Sequence, residues 1–130
     1  MKKRIIDPEA AALATSTDRL NAKLFEAEKV LRDLCLGVEG SVRLEQNRED
    51  NFLGFHKIDK GWSLVLICHG ALEGPPLVSH VTSGSRDLRI KAAKKLVDLL
   101  EVLRLEVRSS RLHVDSANDA VDAFLNSVRS

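Results

Sequence analysis

Residues 85–107, SRDLRIKAAKKLVDLLEVLRLEV, constrain the fold more than any other stretch of this chain. At about 100° per residue, Leu88, Ile90, Ala92, Ala93, Leu96, Val97, Leu99, Leu100, Leu103 and Val107 fill an arc of roughly 200°. A helix with a single buried face uses about half of that. Read as one long helix, the stretch predicts two neighbours. One is a sheet, and the other is a second helix or a second copy of the chain.

The sheet comes from the middle of the chain. Ser41–Gln46 alternates, with Val42 and Leu44 on one side and Arg43 and Glu45 on the other, and Asn47–Asn51 reads as a polar turn. Phe52–Ile58 and Trp62–His69 flank Asp59-Lys60-Gly61, a loop that fits a type I turn with a glycine bulge and sets Ile58 opposite Trp62. In that register Phe52, His56, Ile58, Trp62, Leu64, Leu66 and Cys68 share one face, and Leu53, Phe55, Val65 and Ile67 the other. Both faces then call for cover. Gly70–Pro76 is a loop, and Leu77–Val81 a short edge strand.

Helices are expected at both ends. Asp7-Pro8-Glu9 is a helix start, while Thr15-Ser16-Thr17 weakens the helix and Thr15-x-x-Asp18 restarts it as a capping box. Leu20, Leu24, Ala27, Leu31 and Leu34 form an apolar seam, Glu28–Arg32 and Lys29–Asp33 are outward i,i+4 pairs, and Gly37 supplies the stop. Ser109–Val114 reads as a connector. Ser116-x-x-Asp119 opens a last helix that buries Ala117, Val121, Phe124 and Val128. Residues 1–6 are expected to fray. The order is α-β-β-β-(β)-α-α: an α+β domain over residues 1–130. Its antiparallel three- to four-stranded meander is covered by an N-terminal helix, one long helix and a C-terminal helix.

Composition narrows the function classes. Hydrophobic residues at 44% and charged residues at 30% fit a globular chain, and a net charge of +1 gives no general attraction to nucleic acid or acidic membranes. Cys35 and Cys68 lie in apolar settings outside any CxxC pair, which reads as reduced, buried packing residues of a cytoplasmic protein. No apolar run reaches membrane-spanning length, and Asp7-Pro8-Glu9 interrupts the basic start MKKRII before a signal peptide can form.

Catalytic and metal chemistry finds little support. Cys68 and His69, like Ser79 and His80, are strand neighbours that point to opposite faces. His56, His80, His113 and the cysteines show no short ligand spacing, and the chain has no GxSxG elbow, P-loop or dinucleotide fingerprint. No cofactor is expected. One anion site is suggested: Ser83-Gly84-Ser85 precedes the long helix, with Arg86 and Arg89 in its first turn, where cations oppose the helix dipole. An acid within the chain, such as Glu73, Glu45 or the carboxylate of Ser130, would also account for the arginines. A nucleic-acid surface would add Arg43, Lys57, Lys60 and Trp62, but Trp62 falls within an apolar set and the net charge argues against it.

The expectation is a non-catalytic protein-interaction module (an adaptor, a chaperone-like protein or a regulatory subunit) that forms a homodimer or holds another protein. Its apolar interface would draw on Leu20, Leu24, Leu31, Leu34, Leu99 and Leu103. A phosphate-bearing ligand at Ser83, Gly84, Ser85, Arg86 and Arg89 is the alternative, and a monomer with helices on both sheet faces is the competing architecture. The element order resembles that of small bacterial secretion chaperones, a likeness of order alone from which no residue is carried over.

Overall fold

The computed structural model describes residues 7–44, 50–59, 61–70 and 74–129. Helix α1 (Pro8–Asp33) leads into strands β1 (Gly40–Arg43), β2 (Asp50–Ile58), β3 (Gly61–His69) and β4 (Leu77–His80). A 3-10 turn (Val81–Ser83), α2 (Arg86–Lys94) and α3 (Leu96–Arg129) complete the chain. The strands form one antiparallel sheet in the order β1-β2-β3-β4, so the molecule is the expected α+β meander with helices from both ends.

Asp7 begins α1 as expected. Its Oδ1 accepts from the amides of Glu9 and Ala10 at 2.8 and 3.2 Å. The expected interruption at Thr15-Ser16-Thr17 does not occur. Thr15 and Thr17 turn their hydroxyls onto the carbonyls of Ala11 and Leu13, at 3.1 and 2.8 Å, and the helix runs through them. The stop also differs. Cys35 takes the left-handed conformation (φ 51°) directly after the C-cap Leu34, ahead of Gly37 (φ 70°). This position leaves Cys35 exposed, contrary to the buried role expected of it, while Cys68 is half-buried.

The β2–β3 register corrects the sequence reading. Ile58 faces Gly61 and Lys57 faces Trp62, one residue away from the expected pairing of Ile58 with Trp62. Side chains alternate along a strand, so a slip of one position turns β3 over relative to β2. Leu53, Phe55, Leu64 and Leu66 now lie on one face, joined by Val42 from β1. Phe52, His56, Val65 and Ile67 lie on the other. Asp59 takes φ 54° in the tight turn, and Lys60 and most of the expected 47–51 turn lie outside the described residues.

Leu53, Phe55, Leu64 and Leu66 are therefore gathered on one face, and all three helices pack there. The core joins Leu24 and Leu31 of α1, Ala92 of α2, and Leu99 and Leu103 of α3 to Leu53, Phe55, Leu64 and Leu66. Trp62 stacks on Phe55 with centroids 5.4 Å apart, which fixes its role in packing. Helix α3 crosses close to β1. A Cβ on Gly40 would lie 3.0 Å from Leu103 Cδ2, so the bare glycine admits the helix. Cover on both sheet faces is not what forms: Ile58 and Val78, on the second face, are exposed.

The expected single long helix breaks at Lys95 (φ −104°, ψ 3°), which separates α2 from α3. The break accounts for the broad apolar arc, because two helix segments of different phase both turn toward one core. Ile90 and Val97 are the members left exposed. Beyond Val107 the surprise is continuity. Residues 109–114, expected as a connector, are helical, and Ser116-x-x-Asp119 caps nothing because it lies inside α3. No glycine or proline interrupts the 34 residues of α3.

Candidate functional site

Two apolar features of α3 remain without a neighbour among the described residues. The first is its distal half. From residue 108 to 129 every side chain is exposed except Leu125, which is half-buried. At 1.5 Å per residue this arm extends roughly 33 Å past the sheet. Val107, Val114, Val121 and Val128 recur every seventh residue, with Ala117 and Phe124 between them, so the arm carries the a/d stripe of a coiled-coil helix. Phe124 is 64% and Val128 67% exposed. The stripe of Ala117, Val121, Phe124 and Val128 is thus apolar as expected but not buried by this chain. An apolar stripe on such an exposed helix invites a second surface.

The second feature is a groove of about 370 Å³ between α1 and the start of α3. Ala27, Val30 and Leu31 form one wall, Leu96, Val97 and Leu100 the other, and Lys23 and Glu26 stand at the rim. Val30 and Val97 present more than half of their surface to solvent. Part of the seam expected as an interface is spent elsewhere. Leu24, Leu31, Leu99 and Leu103 are buried in the core of this chain, Leu20 is half-buried against it, and Leu34 is exposed. Leu24, Leu99 and Leu103 are therefore not available to a second molecule, whereas Leu31 still lines the groove.

At the suggested anion site the residues are close together, but most have structural partners. Ser85 caps α2 by accepting from the Leu88 amide at 3.2 Å. Arg89 donates to Asn21 Oδ1 on α1 and, at 3.4 Å, to the carbonyl of Ser85. Gly84 is bare for packing, since a Cβ there would fall 2.2 Å from Leu66 Cδ1. Arg86 and Ser83 are exposed. Asp87 follows Arg86 in the first turn, where an acid suits the dipole, and pairs with Lys91 at 2.6 Å. The acids weighed as internal partners, Glu73, Glu45 and the terminal carboxylate of Ser130, lie outside the described residues.

Sequence reading missed one polar constellation. Glu28, expected on the outside of α1, is only 4% exposed. Its Oε2 accepts from the Leu64 amide and from His80 Nε2, each at 2.9 Å, and its Oε1 meets Arg32 at 3.2 Å. His80 Nδ1 lies 2.9 Å from Thr82 Oγ1, and the Phe25 ring covers the imidazole at 5.7 Å. In the tautomer whose Nε2–H donates to the carboxylate, Nδ1 accepts from the Thr82 hydroxyl. The order carboxylate–imidazole–hydroxyl is that of a nucleophile triad. A second hollow, lined by Glu101, Arg104, Leu105 and Arg108, lies along α3 as the groove does. What this group does is fasten α1 to the sheet where β4 ends. The available signal was helical spacing: Glu28 follows Leu24 by four, inside the buried stripe.

A second carboxylate acts on the opposite sheet face. Glu39 holds His56 Nδ1 at 3.1 Å and accepts from the Lys57 amide at 3.2 Å. Among the described residues no three His, Cys, Asp or Glu side chains are grouped to hold a metal ion, and no helix is long and apolar enough to cross a membrane. Comparison with known proteins returns no relative: no family model matches the chain, and neither does any curated protein or solved structure.

Proposed function

We propose that this chain is a non-catalytic protein-interaction module that self-associates, with the α3 arm and the α1/α3 groove as its working surface. The observation that carries this reading is the exposed heptad stripe at residues 107–128 of a helix whose first half is core. A helix that projects beyond its own domain with valines at every seventh position gains nothing from that stripe alone. Adaptors, chaperone-like proteins and regulatory subunits all use a rigid surface of this kind.

Sedimentation velocity at tens of micromolar tests the proposal. The wild-type chain is expected to sediment as a dimer. A variant carrying Val114→Gln, Val121→Gln and Phe124→Gln is expected to sediment as a monomer with an unchanged far-ultraviolet spectrum. Wild-type chain that remains a strict monomer at that concentration overturns the self-association reading.

A further inference from the structure

The charges of α3 name the partner and its direction, on the reading that the arm is an association surface. Arg104, Arg108, Arg111, Asp115, Asp119 and Asp122 fall within an arc of roughly 80° on one flank of the helix. All six are exposed. Three arginines come first and three aspartates follow. Within a single helix this arrangement is unfavourable, because Arg104–Arg108 and Asp115–Asp119 are like-charge i,i+4 pairs. The one internal ion pair, Arg111–Asp115, spans the boundary between the blocks at 3.7 Å.

The pattern has a symmetry that explains it. Reflected about residue 113, Arg104 meets Asp122, Arg108 meets Asp119 to within a residue, and Arg111 meets Asp115. One turn further out Glu101, on the same flank, finds Arg129 as its opposite to within about one turn. A sequence of charges that reverses sign on reversal of direction is complementary to itself in an antiparallel pair. A parallel pair turns this flank toward the opposite flank of the partner and leaves the reversal unused.

We infer that α3 pairs antiparallel with α3 of a second copy, centred near His113, and that the arm of each copy enters the α1/α3 groove of the other. The lengths fit. From Leu100 to Phe124 is about 36 Å along an unbroken helix, so the arm cannot fold back into its own groove. In the antiparallel pair Phe124, Leu125 and Val128 of the second copy arrive beside Leu96, Val97 and Leu100. The same two-fold axis fills both grooves and closes the assembly at two chains. Val114, Ala117 and Val121 meet near the axis.

Pulsed dipolar spectroscopy reads the direction. A nitroxide on Ser127→Cys, in a chain with Cys35→Ser and Cys68→Ala, is expected to give a separation of about 40 Å. Sedimentation of the labelled chain is expected to show that the dimer is kept. A separation under about 20 Å, with a dimer present, is the parallel pair and overturns this inference while leaving self-association standing. Absence of any dimer at tens of micromolar in both the labelled and the wild-type chain overturns the two together. Charge reversal supplies the independent arm. Arg104→Glu with Arg111→Glu is expected to weaken association by about tenfold or more, and adding Asp115→Arg and Asp122→Arg to restore it. Affinity unmoved by the first pair of changes overturns the charge pairing.

Discussion

The two halves of α3 share one backbone and one apolar periodicity, yet Leu99 and Leu103 are wholly buried while Phe124 and Val128 are mostly exposed. Periodicity decides which side of a helix is apolar. It does not decide whether a neighbour exists, since that depends on where the sheet ends. The proximal half meets β1 at Gly40, and the distal half runs on past the sheet. The same kind of side chain therefore has a different energetic role at each end. In the first half it holds the chain together, and in the second it is the surface we propose for association.

Substitutions can break that contrast, beginning with the largest effect. Leu103→Ala is expected to destabilise the fold by about 2–5 kcal/mol in urea denaturation, from lost burial and the cavity left against β1. Glu28→Ala removes the acceptor of the buried Leu64 amide and the partner of His80, and is expected to cost about 1–3 kcal/mol in the same measurement. Gly84→Ala forces the buried tip of Leu66 aside and is expected to lower stability by about 1–3 kcal/mol. At the small end, Phe124→Ala is expected to move the stability of the isolated monomer by less than about 0.5 kcal/mol at dilutions where no dimer forms. A large loss from Phe124→Ala under those conditions would mean that the arm packs on its own chain, and the two halves would no longer differ in kind.

Much of the fold was legible in the residues. Element order, the meander, the Asp7 cap and the Ser85 cap all follow from local signals that act over a few positions. The β2–β3 register was not legible, because Asp59-Lys60-Gly61 suits two turn lengths and each leaves apolar residues on both faces. Neither was the break at Lys95, where nothing in Ala-Lys-Lys-Leu marks a stop. The serines at 109, 110 and 116 suggested a connector, but each costs a helix only a few tenths of a kcal/mol, too little to end one without glycine or proline. At the suggested anion site the serine cap was readable, whereas the partners of Gly84 and Arg89, Leu66 and Asn21, are remote in sequence.

Glu28 has a consequence for where the sheet can be extended. Its carboxylate occupies the Leu64 amide one position past the end of β4, where another strand would otherwise continue the ladder. Open-ended strand addition at an unpaired ladder leads to fibres. A carboxylate seated on that amide closes this one position of β3 to strand addition.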